Sequence, residues 1–119
     1  MESLGTWGEN LAARRLEASG CLILARNWRA GRLEVDLVVR EGSVIAFVEV
    51  KTRRSGPQPA GEAVDRRKRL HMRRAAGRWI ATRPERASEY RFDVVTVEVR
   101  RHGPPRVEHV RAAFTGDDA

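Results

Sequence analysis

Two stretches in the first half of the chain alternate their side chains with the period of a β-strand. The first reads Leu33-Glu34-Val35-Asp36-Leu37-Val38-Val39, the second Val44-Ile45-Ala46-Phe47-Val48-Glu49-Val50-Lys51. Successive residues of a strand face opposite ways. Leu33, Val35, Leu37 and Val39 therefore share one face, and Glu34, Asp36, Val38 and Arg40 the other. In the second stretch Val44, Ala46, Val48 and Val50 group against Ile45, Phe47, Glu49 and Lys51. A tight turn at Glu41-Gly42 pairs Arg40 with Ser43 and Val39 with Val44. That register joins both all-apolar faces into one core surface, which a one-residue slip would destroy. It also sets Asp36 opposite Phe47 and diagonal to Glu49, with Glu34 and Lys51 at the same end. Val38, Ile45 and Phe47 on that second face predict that it is only partly wet.

The surrounding pattern supplies the remaining elements. Gly8, Leu11, Ala12 and Leu16 recur at helical spacing, predicting a helix that ends near Ser19 and is stopped by Gly20, with Glu9 at the edge of its buried stripe. Residues 21–28 read as a strand and 27–32 as a turn region. Residues 53–61 hold glycine, proline and serine and read as a flexible loop. Met72, Ala75, Ala76, Trp79 and Ile80 mark the buried stripe of a second helix over 62–82, with Pro84 beyond its end. Strands are predicted over 91–100 and 107–110, turned by Gly103-Pro104-Pro105, and the acidic tail 115–119 should fray. The order αβββαββ describes an α/β (α+β) fold in one domain over residues 1–114. Its mixed sheet has three antiparallel strands, a helical crossover and a strand parallel to the third, with flanking helices.

Composition narrows the setting. The chain has 119 residues, enough for a core without staples, and its single Cys21 forms no intrachain disulfide, which fits a reducing compartment. No apolar run is long enough to span a bilayer and no signal peptide is evident, so a soluble, cytoplasmic protein without membrane partners is expected. The formal net charge of +7 suits a polyanionic partner. Arg66, Arg67, Lys68, Arg69, Arg73, Arg74 and Arg78 crowd the second helix with few acids to balance them. Such residues position a nucleic-acid backbone without reading sequence, although a charge run also serves as an ordinary solvated face.

A carboxylate inside Phe47-Val48-Glu49-Val50 is costly to desolvate unless something positive pairs with it. Two carboxylates and a lysine gathered on one patch would meet that cost by holding a divalent metal. A solvated polar face of an antiparallel sheet is the plainer alternative. Cys21 reads as buried filler, Asp93 as a structural partner of Arg91 or a nearby loop, and Trp79 as core. Trp7 and Trp28 stay open between packing and base stacking. His71, His102 and His109 lack metal-ligand spacing and receive no role.

The element order resembles the core of the PD-(D/E)xK nuclease superfamily. Gly5, Gly8 and Glu9, then Glu34-Val35-Asp36-Leu37, then Phe47 through Arg53 resemble the YraN family of small bacterial proteins. That family is similar in fold to archaeal Holliday-junction resolvases. Lys68, Arg91 through Val95 and the ending through Phe114 extend the resemblance over nearly the whole chain. Leu33 departs from the glycine usual in the family at that place. The resemblance implies a restriction-endonuclease-like fold in which Asp36 and Glu49 bind Mg²⁺ or Mn²⁺, joined by Glu9 and the Val50 carbonyl. Lys51 is implied as the motif lysine, orienting water or steadying charge on the phosphate. Glu34 is left between an outer role and pairing with Arg32 or Lys51. Arg53, Arg54, Lys68, Arg69 and Arg73 are expected to grip DNA or RNA. The activity implied is metal-dependent, structure-selective hydrolysis of phosphodiesters, with branched DNA favoured and a homodimer suggested by analogy. A nucleic-acid-binding protein without turnover, and an adaptor for an acidic protein partner, are the alternatives.

Overall fold

The computed structural model describes residues 2–56 and 65–114. The expected loop positions 57–61, the first residues 62–64 of the expected second helix and the tail 115–119 lie outside the described residues. The elements are α1 (Leu4–Ala18), β1 (Leu22–Ala30), β2 (Leu33–Glu41), β3 (Val44–Arg54), α2 (Arg66–Thr82), β4 (Glu89–Val99) and β5 (Arg106–Phe114). The strands form one sheet in the order β1-β2-β3-β4-β5. All neighbours are antiparallel except β3 and β4, which run parallel across the α2 crossover. This is the αβββαβ(β) arrangement of a restriction-endonuclease-like core.

The hairpin register differs from the expected one by two residues. Glu41 pairs with Val44 and Leu37 with Val48, so the turn is Gly42-Ser43. Gly42 takes φ 61°, which a glycine adopts without steric cost. Glu41 stays in the strand, where its carboxylate accepts hydrogen bonds from Arg91 at 2.7 Å and from both Nε and Nη2 of Arg111 at 2.9 and 2.7 Å. A two-residue shift preserves which side chains share a face, so the core survives it. Carried one step past Leu37–Val48, it brings Asp36 directly opposite Glu49 rather than Phe47.

Each face of the sheet is a core. Leu37, Val39, Ala46, Val48, Val95 and Val97 pack beneath α1 with Ala12, Ala13, Leu16 and Cys21. Val38, Ile45, Phe47 and Phe92 pack beneath α2 with Met72, Ala75, Ala76 and Trp79. The second face is partly wet, as expected: Val38, Ile45 and Phe47 are all 0 % exposed, while Glu34, Asp36, Arg40, Glu49 and Lys51 on it are half-buried. At about 1.5–3 kcal/mol for each side chain fully buried, that face stabilises the fold as a core does. Leu33 and Val35 also join the α2 cluster, apart from Leu37 and Val39. The face expected to be continuous is therefore split at Asp36. There the β2–β3 ladder ends, and the Asp36 carboxylate takes the Val50 N–H in place of a backbone partner.

Candidate active site

Asp36 and Glu49 stand at the point where β2 and β3 separate. Asp36 Oδ2 accepts a hydrogen bond from the Val50 backbone N–H at 2.8 Å, which fixes its side chain against β3. The two carboxyls are also hydrogen-bonded to each other. Burial raises the pKa of Asp36, and the Val50 N–H and the Lys68 charge only partly oppose it. Burial, and then the negative charge of Asp36, push Glu49 up to about 7. One proton between two neighbouring carboxyls is how such a pair relieves its repulsion.

The cation that reaches the pair comes from α2. Lys68 Nζ lies 3.1 Å from Glu49 Oε2, with its side chain 40 % exposed and that of Glu49 14 %. Burial pulls the Lys68 pKa down, but Glu49, Asp36 and Glu34 outweigh it, and the net direction is upward. The Asp65 side chain caps α2 by accepting from the Lys68 N–H at 2.8 Å, which holds Lys68 in the first turn. Lys51 shares the Glu49 face of β3 but points along a different cleft, beside Arg53 and Arg69. The ion pair with Glu49 is thus made by Lys68.

Glu9 approaches from the other layer. Gly8 is buried in α1 against Thr52, and a Cβ added there would fall 1.8 Å from Thr52 Oγ1. Only glycine lets α1 settle this close to β3, and the close approach carries Glu9 toward β2. Burial and the charge of Asp36 raise the Glu9 pKa, while a hydrogen bond from Asn27 lowers it. Asn27 takes φ 48°, uncommon for a residue with a side chain. It was legible only as part of a turn region. Among the described residues, no group of three or more His, Cys, Asp or Glu side chains is placed to hold a metal. Asp36 and Glu49 are directly paired, and Glu9 lies near enough for the charge of Asp36 to raise its pKa. Val50 takes part through its N–H, which holds Asp36. The pair still suits Mg²⁺ or Mn²⁺, because small hard cations take one or two carboxylates and complete their shell with water.

Glu34 pairs with Arg29 at 2.9 Å on the rim, not with Arg32 or Lys51. Trp28 packs edge-on against Trp79 with ring centroids 5.2 Å apart, and Trp7 packs on the α1 core. Asp93 is fully buried and accepts from Arg91 at 2.8 and 3.0 Å and from the Ala112 N–H at 3.0 Å. His109 Nε2, given no role from sequence, lies 2.8 Å from Asp93 Oδ2. These partners outweigh burial and hold the Asp93 pKa below the usual carboxylate range.

The family model described as "Uncharacterised protein family UPF0102" matches residues 8–97, a span holding Glu9, Asp36, Glu49, Lys51 and Lys68. The UPF0102 proteins of Frankia alni and Frankia casuarinae are each 50 % identical to this chain over 115 residues, covering 95 % of it and 95 % and 97 % of their own lengths. The UPF0102 protein of Beutenbergia cavernae is 48 % identical over 111 residues, covering 92 % of this chain and 94 % of its own. No described helix is long and apolar enough to cross a membrane. By its family match and by relatives that align along almost their entire length, the chain belongs to the UPF0102 family, which is the YraN family.

Proposed function

We propose that this protein is a metal-dependent nuclease that hydrolyses phosphodiesters, with branched DNA as the favoured substrate. The hydrogen-bonded Asp36–Glu49 pair, set at the separating ends of two core strands with Lys68 beside it, carries the reading. Asp36 and Glu49 would hold Mg²⁺ or Mn²⁺. Such an ion, when bound, polarises the phosphodiester and eases deprotonation of water. The Val50 N–H keeps Asp36 aimed at the site. Lys68 offsets the charge of Glu49 and, being partly exposed, reaches outward to stabilise negative charge developing on a phosphate oxygen. Lys51, Arg53, Arg54, Arg69 and Arg73 extend a basic surface along β3 and α2 that would track the backbone. In the net reaction a water oxygen bonds to phosphorus, one P–O ester bond breaks, and the departing oxygen takes up a proton.

The Lys68–Glu49 ion pair, which already offsets one of the two carboxylates, favours a second reading: nucleic-acid binding without turnover. A labelled four-way junction incubated with Mg²⁺ or Mn²⁺ separates the two. Cleavage that is lost in Asp36→Asn and Glu49→Gln supports the nuclease. Salt-sensitive binding with no product in either metal supports the second reading, and product that persists in both variants overturns the assigned site.

A further inference from the structure

A second concave site lies on the α2 side of β3, beyond the carboxyl pair. It is a cleft of about 370 Å³ between α2 and strands β3, β4 and β5. Lys51, Arg53 and Arg69 line one part of it, and Val94, Val110 and Phe114 are among the residues of the apolar part. The volume falls in the range of clefts that take small ligands, roughly 300–1,000 Å³. Among the described residues, neither the Lys51 ammonium nor the Arg69 guanidinium makes an ion pair or hydrogen bond, and Arg69 Nε is buried without a partner. A buried unsatisfied N–H is destabilising unless something supplies an acceptor. Arg69 also stands near the N-terminus of α2, where the helix dipole disfavours positive charge; the Asp65 carboxylate at the N-cap is engaged by the Lys68 N–H. Stability does not explain cations there, whereas a bound anion does. The neighbouring wall is apolar, with Val110 38 % exposed on it. A small inorganic anion would leave that wall uncovered.

We propose that this cleft receives one unpaired nucleotide of the nucleic-acid substrate, its phosphate on Lys51 and Arg69 and its base against Val94 and Val110. The proposal deepens the nuclease reading. Lys51 is two residues from Glu49 on the same strand face, so a nucleotide seated here would lie next to the phosphodiester presented to the carboxyl pair. A fully stacked duplex offers no such free base, whereas a junction, flap or frayed end does. The cleft would thus select for distorted or single-stranded positions.

The test is binding of a 5′-phosphorylated oligothymidylate to the full-length protein without divalent metal, followed by fluorescence anisotropy and by NMR shifts of the Val110 methyls. Arg69→Gln and Val110→Asp should each weaken binding by about tenfold, as expected for loss of one charge-assisted hydrogen bond or of the apolar contact. Arg14→Gln, an equal change of charge on exposed α1, should leave it within about twofold, and a fully paired duplex should not shift the Val110 methyls. Three results would overturn the proposal: unchanged affinity in both cleft variants, equal competition by inorganic phosphate, or equal competition by polyglutamate. The last would identify an acidic peptide as the occupant. Metal-dependent cleavage decides the nuclease reading separately. Absent cleavage with intact cleft binding sinks that reading alone, and cleavage with no cleft binding sinks this one alone.

Discussion

Glu49 is a carboxyl that the fold keeps partly protonated near neutrality, and that has a measurable consequence. Its pKa is about 7 in the folded protein against an ordinary 4.5, so between those values the folded chain holds a proton that the unfolded chain has released. The stability linked to this group is therefore fully present below about pH 4.5 and lost as pH rises through 7. Glu49→Gln should remove that loss. Urea midpoints of variant and wild type should lie close together at pH 5, with the variant higher at pH 8. A pH-independent difference would show that the carboxyl is not shifted. Asp36 and Glu49 were legible as candidates because charges inside apolar strands stand out, and Lys68 because it lies in the basic run of the second helix. Their pairing was not. Sequence put Lys51 beside Glu49 because strand neighbours are easy to count, whereas the approach of Lys68 depends on how α2 lies across the sheet. His109 and Asn27 gave no signal, since each works through one partner, Asp93 or Glu9, that is remote in sequence.

At the scale of elements, the α1–β3 contact decides whether Glu9 reaches the site. Gly8→Ala puts a methyl group into Thr52 and should destabilise the fold by about 1–3 kcal/mol, the usual cost of overpacking. Thr52→Ala in the same chain removes the closest atom and should recover part of the loss in chemical denaturation; no recovery would place the strain elsewhere. Asp93 ties β4 to β5 through His109 and Ala112, and Arg91 and Glu41 continue the network to β2. Asp93→Ala removes the fully buried carboxylate that Arg91 and His109 share and should cost about 3–5 kcal/mol, read as a lowered urea midpoint. The elements themselves were legible from periodicity, including the parallel β3–β4 pair. The hairpin register was off by two because the sequence does not reveal that Glu41 is held in the strand by arginines from β4 and β5.

Over the whole molecule, two helices on opposite faces leave one end of the sheet, where β2 and β3 part, as the meeting place of acids and bases. On the proposed nucleic-acid reading, the net charge of +7 predicts an association that weakens strongly with salt. Neutralising Lys68 or Arg73 should each flatten the slope of log K against log salt by about 1, measured by anisotropy with a junction substrate. A slope unchanged in both variants would remove α2 from the interface. The most direct test of the central claim is calorimetric titration of Mn²⁺ at pH 8 into wild type and Asp36→Asn, a substitution that retains an acceptor for the Val50 N–H. Wild type should bind with an affinity that falls toward pH 6 as protons compete for Glu49, and the variant should bind at least about tenfold more weakly, a loss of 1.4 kcal/mol. Equal heats in the two proteins would contradict a metal site at Asp36 and Glu49.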